Sequence, residues 1–192
     1  MIGSADCVTG KLKDFLLQKK TPLLRRWFDL ILETYPPDTR KFLESQKNPF
    51  ANPVGATILK AIGGLYDEWL EGMDPGKISS FLDPIVRIRA VQDFSPSQAL
   101  AFVPLLKQAV KDELAGVIAE KQLYEEWWEW GLRIDRLTLQ AFDKYMECRA
   151  KVYEIRVNEW KNRSAKILEL INFTGEKKEP GPDRQESIDQ PK

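Results

Sequence analysis

The sequence contains no histidine. Histidine is the usual general base, metal ligand and haem ligand near neutral pH, so its absence excludes Ser-His-Asp and Cys-His hydrolysis, His-ligated zinc and His-ligated haem. Catalysis by carboxylates or by lysine remains formally possible, but no pair of acidic residues invites it. We therefore predict that the protein is not an enzyme and has no cofactor.

Cysteine is scarce and long apolar runs are missing. Cys7 and Cys148 are the two cysteines, far apart in a chain without a recognisable signal peptide. This usage is typical of a reducing compartment and not of a disulfide framework. The longest uncharged stretches, interrupted at Lys60 and Lys107, fall short of the roughly 20 apolar residues that a transmembrane helix needs. The sequence predicts a cytoplasmic protein without membrane insertion.

The chain also lacks an excess of either charge, since 29 acidic residues balance 29 basic ones. A chain without a net field has no electrostatic attraction to nucleic acid, and we expect none to bind. Gly63-Gly64 is not a phosphate-binding loop, because no Lys-Ser/Thr follows it and because it lies in an apolar helical pattern. We interpret the glycine pair as a place of close helix packing.

Apolar residues at helical spacing are what the sequence has in abundance, and alternation of period two is never sustained. The fold class predicted from this pattern is all-α. The predicted helices are Lys11–Lys20, Pro22–Tyr35, Asp38–Gln46, Thr57–Glu71, a short helix after Asp74, another from Pro84 through Val91, Ser97–Gly116, and a long one from Lys121 to Phe173.

Four of these helices are predicted to begin at a capping residue followed by proline, because proline suits the first helical position. The four pairs are Thr21-Pro22, Asp74-Pro75, Asp83-Pro84 and Ser95-Pro96. Pro104 falls inside another helical pattern, where it should bend the helix or displace its start.

The last helix has apolar residues at alternating steps of three and four, the spacing of a seam between two helices. Forty residues after Gly131, at about 1.5 Å each, give a rod of roughly 60 Å, longer than the ~40 Å diameter of a globule of this size. The helix should therefore project or kink near Gly131. A projecting apolar stripe predicts a homodimer, with interface candidates Ile134, Leu137, Ala141, Cys148, Val152, Ile155, Trp160 and Ile167.

In domain terms, we predict a flexible N-terminus over residues 1–10, a single helical domain over 11–173, and a disordered tail over 174–192. The tail has three prolines, many charges and one aliphatic residue, Ile188, so it cannot bury enough apolar surface to become ordered.

Four blocks of the sequence resemble the N-terminal domain of RsbT co-antagonist proteins of the RsbRD type. The resemblance covers about Lys11 to Arg163, with the blocks in the same order and spacing. The blocks are Leu23–Trp27 (LLRRW), Phe50–Gly55 (FANPVG), Asp83–Ser97 (DPIVRIRAVQDFSPS), and Tyr145–Arg149 (YMECR) together with Tyr153–Glu159 (YEIRVNE).

This resemblance implies a sensory input module of the bacterial stressosome, related in fold to a globin-like helical bundle that has lost haem, and usually dimeric. In such proteins a long linker helix joins the module to a STAS output domain that meets a kinase. Here the sequence ends about twenty residues after that helix. We therefore expect a free-standing sensor or adaptor for stress signalling.

Candidate ligand-binding residues come from the most family-like blocks: Arg87 and Arg89, and Tyr145 with Arg149. The arginines could clamp an anionic ligand, or they could pair with carboxylates such as Asp83 and Asp93.

Two other features also have two readings. Trp127, Trp128 and Trp130 could line a pocket, although aromatic residues at this spacing are more often core. Cys148 could be reactive, or simply a small apolar residue. The function classes left open are a ligand-responsive sensor, a constitutive helical scaffold or adaptor for a protein partner, and, third, a carboxylate enzyme.

Overall fold

A computed structural model describes residues 10–45, 52–92 and 94–175, apart from the side chains of Ser45 and of residues 172–175. In these ranges the chain forms eight α-helices and no strand, which confirms the all-α class and the long C-terminal helix. The globin-like arrangement stays a prediction. The helices are α1 (Lys11–Gln18), α2 (Lys20–Glu33), α3 (Pro37–Ser45), α4 (Pro53–Leu70), α5 (Pro75–Val91), α6 (Pro96–Leu100), α7 (Leu105–Glu120) and α8 (Tyr124–Gly175).

The described chain divides into two units, unit 1 up to Ala150 and unit 2 from Lys151 onward. The predicted flexible N-terminus and disordered tail lie outside the described residues, except for Gly10 and the last turn of α8. Whether residues 11–173 behave as a single domain stays a prediction. Gly131 lies inside α8, within unit 1.

Two of the four predicted proline starts are confirmed. The Asp74 carboxylate accepts a hydrogen bond from the Lys77 backbone N–H at 2.9 Å and caps α5. At α6, the Ser95 hydroxyl accepts from the Gln98 backbone N–H at 3.3 Å, and the Gln98 side chain accepts from the Ser95 N–H at 2.9 Å. This reciprocal pair is a capping box, which satisfies donors that the first helical turn leaves free.

The other two proline starts are wrong. Thr21 is not a cap, because α2 begins at Lys20. Pro22 lies in the first turn of this helix, where proline is tolerated because the N–H that it lacks would have no helical partner. Asp83-Pro84 does not begin a helix, because α5 continues through Pro84. The buried residues of α5 lie on both sides of Pro84, from Ile78 to Ala90. Packing of this continuous apolar stripe against α4 outweighs the roughly 3 kcal/mol cost of an internal proline.

The predicted boundaries of two further helices also shift. Helix α4 begins at Pro53 and not at Thr57, because the Asn52 side chain accepts from the Gly55 N–H at 2.8 Å and also donates to the Leu43 carbonyl at 2.8 Å. Pro104 displaces the start of a helix, as predicted, so that the expected single helix becomes α6 and α7 with a turn between them.

Unit 1 has one apolar core. Helix α4 packs along α5, and α2 lies against both α4 and α7. Trp27 is fully buried on α2, and its indole N–H donates to the carbonyl of Phe102 at 2.6 Å, which ties the turn before α7 to α2. The part of α8 within unit 1 adds six buried apolar side chains, namely Trp130, Ile134, Leu137, Ala141, Tyr145 and Cys148.

The two neighbouring glycines of α4 give a matched test of packing. A Cβ added to Gly64 would overlap the ring of Phe81 on α5, whereas a Cβ on Gly63 would meet nothing within 4 Å. Close packing is thus confirmed for Gly64 and wrong for Gly63. We expect Gly64→Ala to lower the free energy of unfolding by about 1–3 kcal/mol through overpacking. Gly63→Ala should raise it by about 0.5–1 kcal/mol, because alanine favours helix. Urea unfolding of both variants measures the contrast, and equal effects would contradict the packing described here.

Unit 2 is helical throughout its described part. Among its residues up to Ile171, Val152 is half-buried and the rest are exposed. Its exposed apolar side chains include Tyr153, Trp160 and Ile167.

Candidate functional site

The most unusual feature of unit 1 is a fully buried arginine in a cage of aromatic rings. Arg89 lies on α5 with none of its surface exposed. Its guanidinium carbon lies 4.9 Å from the ring centre of Tyr35, 5.1 Å from that of Phe94 and 5.8 Å from that of Phe102. These distances are those of cation–π contacts.

Neutral oxygens complete the contacts of this guanidinium. Arg89 donates through Nη1 to the carbonyl of Gln98 and through Nη2 to the hydroxyl of Thr34, each at 2.9 Å. Thr34 can accept because its own hydroxyl proton goes to the Ile31 carbonyl, at 2.6 Å. Thr34 is the residue at which α2 ends, so the ends of α2 and α5 are joined through this one side chain.

Three polar atoms of the same region have no hydrogen-bond partner in the described chain: Arg89 Nε, the Tyr35 hydroxyl and Gln92 Oε1. Tyr35 is 6% exposed. Buried polar atoms in proteins are nearly always hydrogen-bonded, so three unpartnered ones in one place require an explanation.

No carboxylate among the described residues forms an ion pair with Arg89. Of the two predicted partners, Asp83 pairs instead with Arg87, and Asp93 lies outside the described residues. Burial lowers the pKa of Arg89 below its ordinary value, and the neighbouring Tyr35 opposes that shift. Arginine nevertheless stays protonated in proteins, so the core holds a positive charge.

A cavity of about 220 Å³ lies beside this charge. Its walls are Tyr35, Pro36, Thr39, Gln92 and Phe94. Tyr35 and Phe94 are also two of the rings that contact the Arg89 guanidinium, and they meet edge to face with ring centres 5.4 Å apart. The cavity and the buried charge therefore share two walls.

The other predicted ligand residues do not converge on this cavity. Arg87 is exposed and donates to Asp83 at 2.5 Å, and this hydrogen bond lowers the pKa of the Asp83 carboxyl. Tyr145 is buried in the core, at 2% exposed. Arg149 is half-buried and donates to the carbonyl of Ala90 at 3.1 Å. Of the four candidates, only Arg89 contacts residues that line the cavity.

Sequence reasoning missed Tyr35, Thr34 and Gln92. Gln92 and Phe94 stand inside the family-like block around Arg89, which was the available signal for them. Tyr35 and Thr34 lie more than fifty residues earlier in the chain, and only the packing of α2 against the end of α5 brings them close.

The eight predicted dimer residues fall into two groups. Ile134, Leu137, Ala141 and Cys148 are buried in the core of unit 1, so they are not available as a surface in the single chain. Ile155, Trp160 and Ile167 are exposed on unit 2, and Val152 is half-buried there.

Most of the exposed apolar residues of unit 2, though not Ile155 or Leu170, lie on one face of the helix, which we call the unit-2 face. At about 100° per residue, its members lie within about 100° of each other around the helix axis. Ile155 lies about 140° from Trp160, and Val152 is also off this face. Sequence reasoning missed the contributions of Tyr153, Val157, Leu168 and Ile171. The unit-2 face consists of Tyr153, Val157, Trp160, Ser164, Ile167, Leu168 and Ile171.

The described residues contain neither a metal-binding cluster nor a membrane-spanning helix. No group of three or more Cys, Asp or Glu residues there is arranged to hold a metal ion. No helix there has both the length and the apolar character needed to cross a membrane.

An all-α core with a mostly apolar cavity beside unsatisfied buried polar atoms, followed by a helix with exposed apolar residues, has the features of a binding module. Residues 21–160 match the family described as the RsbT co-antagonist protein RsbRD N-terminal domain. Because the match covers well over half of the chain, the protein belongs to this family, and the resemblance in its sequence blocks is confirmed.

One curated relative is an uncharacterised protein of Archaeoglobus fulgidus, 31% identical over 83 residues. The matched segment is 43% of this chain and 51% of that protein, so the chain spans about half the length of this relative. No solved structure matches the chain.

Proposed function

We propose that the protein is a non-catalytic, ligand-responsive regulatory module that acts as a homodimer within a cytoplasmic signalling complex of the stressosome kind. The observation that carries this proposal is the cavity of unit 1 beside a buried guanidinium that forms no ion pair with a described residue, in a chain of the RsbRD N-terminal domain family. A cavity with a few unsatisfied polar groups is the usual form of a small-molecule site.

The second candidate function is a constitutive helical scaffold or adaptor for a protein partner. The exposed unit-2 face is equally consistent with this function. A scaffold, however, has no use for polar atoms left unsatisfied in its interior, because each of them reduces stability. The cavity therefore favours the ligand-responsive module. A carboxylate enzyme has less support, since the one carboxylate that is buried among the described residues, Glu68, pairs with Lys77 at 2.9 Å.

The homodimer is supported by the spacing of residues along the unit-2 face. Tyr153, Val157, Trp160, Ser164, Ile167 and Ile171 follow one another at steps of four and three, the repeat of a two-stranded coiled coil. In proteins, most of the stability of a helix comes from packing of its apolar face. A second copy of the same helix covers the face by a two-fold axis and needs no other partner.

A thermal-shift screen of anionic, neutral and cationic small molecules tests the ligand-responsive function. A ligand that binds only the folded chain at a hundred times its dissociation constant contributes about 2.7 kcal/mol. For a chain of this size we expect a melting temperature higher by about 5–10 °C.

The matched controls are Thr39→Trp, which fills the cavity from its rim, and Asp38→Trp, at a neighbouring exposed residue that does not line it. The stabilisation should disappear in the first variant and persist in the second. If no compound of any charge class stabilises the wild type, the ligand-responsive function is wrong and the scaffold is favoured.

A further inference from the structure

A fully buried positive charge without a described counter-charge is strongly unfavourable, unless something else supplies the negative charge. We propose that the cavity beside Arg89 binds a small organic carboxylate, which supplies that charge. This inference rests on the ligand-responsive function proposed above and names the chemical class of the ligand.

The unpartnered donors define what the ligand must accept. Neither Arg89 Nε nor the Tyr35 O–H has an acceptor among the described residues, and both side chains are more than nine-tenths buried. A carboxylate has two oxygens with several lone pairs and no proton of its own, so it can accept from the Tyr35 hydroxyl while its negative charge offsets the positive charge of Arg89, which does not line the cavity. A hydrogen bond between charged partners is also about twice as strong as a neutral one.

The walls of the cavity limit the rest of the ligand. Tyr35, Pro36 and Phe94 are aromatic or apolar, while Thr39 and Gln92 supply the polar side chains. The cavity volume of about 220 Å³ is several times the roughly 30 Å³ that one water molecule takes in the liquid. The cavity is therefore large enough for a single ring with its substituent. An apolar or aromatic body of this size bearing one carboxylate fits both the walls and the donors.

Tyr35 and Arg89 have different roles in this site. Tyr35 lines the cavity, so we assign its hydroxyl the direct hydrogen bond to the carboxylate. Arg89 does not line the cavity, but its guanidinium contacts the rings of Tyr35 and Phe94 and supplies the positive charge. Thr34 and the Gln98 carbonyl hold the guanidinium through its other nitrogens, and Nε has no partner among the described residues.

Benzoate is the probe, and benzamide, which has the same ring and shape without the charge, is its control. Calorimetry on the full chain should show that benzoate binds and that benzamide binds at least tenfold more weakly. Tyr35→Phe keeps the ring and removes one hydrogen bond to a charged group, so we expect affinity for benzoate to fall about 10–100-fold.

Arg89→Met, which keeps the length of the side chain, should abolish the binding of benzoate. Arg87→Met is the matched control: Arg87 is two residues away on the same helix, exposed and paired with Asp83, so affinity should stay within about twofold. If Arg89→Met does not fold, Tyr35→Phe still decides the question, because removing a hydroxyl that has no described partner should not unfold the chain.

Three outcomes would overturn the inference. The first is equal affinity for benzoate and benzamide, or no binding of benzoate to the wild type. The second is benzoate binding that appears only in Asp93→Asn, which would mean that Asp93 already neutralises Arg89. The third is a ligand from the thermal-shift screen that binds Tyr35→Phe and Arg89→Met as tightly as the wild type. This last result would leave the ligand-responsive function standing and reject only the carboxylate site.

Discussion

Replacing Trp130 by alanine should lower the free energy of unfolding by about 3–5 kcal/mol, the usual cost of removing a large aromatic side chain from a core. Trp130 is fully buried, its ring centre lies 5.1 Å from that of Trp69, and the guanidinium of Arg133 lies 4.8 Å above it. The Trp69 indole donates to the backbone carbonyl of Trp130 at 3.2 Å, and this bond survives the substitution. The loss therefore measures packing, and not a missing hydrogen bond.

Trp128 is the matched control for this prediction. It lies two residues earlier on α8, on the opposite side of the helix, and is 69% exposed. Trp128→Ala should change the free energy of unfolding by no more than about 0.5 kcal/mol. Chemical unfolding of the two variants compares them directly. A loss for Trp130→Ala as small as that for Trp128→Ala would mean that the first half of α8 is not part of the core of unit 1.

Trp160→Asp should convert the proposed dimer to a monomer at micromolar concentration. Trp160 is 74% exposed in the single chain and central to the unit-2 face. In the proposed dimer its ring is buried, so an aspartate in its place would be an unpaired charge in an apolar seam and cost about 3–5 kcal/mol. That is a weakening of roughly 100-fold or more in the dissociation constant.

Ile155→Asp is the matched control for Trp160→Asp, because it also places an aspartate on α8. Ile155 is 59% exposed but lies about 140° around the helix from Trp160, so this variant should remain dimeric. Sedimentation of both variants, with circular dichroism to show that each is still helical, tests the prediction. If Ile155→Asp dissociates the dimer and Trp160→Asp does not, the interface is the side of the helix that carries Ile155 and not the unit-2 face.

The features of the fold that could be predicted from the sequence are mostly those that depend on interactions between neighbouring residues. The capping box at Ser95 and the cap at Asp74 are local, and proline after each of them is a direct signal. Pro84 gave the same signal and was misleading, because the apolar stripe of α5 extends across it and packs against α4. A rule based on local propensity cannot include that tertiary contribution.

The candidate site was only partly visible in the sequence for a similar reason. Arg87 and Arg89 are two residues apart and stand in the same family-like block, so the sequence does not tell which of them is buried. Their positions on α5 point them to opposite sides of the helix, and packing buries Arg89 while Arg87 pairs on the surface. Tyr35 and the cavity depend on contacts between distant segments, which no periodicity predicts.

The apolar spacing of the last helix predicted that this helix packs along a seam, but it did not tell which of its residues lie in the core and which remain exposed. Ile134 to Cys148 are apolar at the predicted spacing, and the core of unit 1 uses them. From Tyr153 onward the apolar face shifts around the helix, so Ile155 no longer shares it with Trp160. The predicted interface therefore combined residues from two different faces.

The measurement that most directly tests the account is the molar mass of the wild-type chain in solution, by light scattering over a dilution series under reducing conditions. A regulatory homodimer built on the unit-2 face should have twice the 22.2 kDa mass of one chain at micromolar concentration and approach the monomer mass only on further dilution. A mass of 22.2 kDa at all concentrations up to tens of micromolar would contradict it, and a different protein would then have to cover the exposed face.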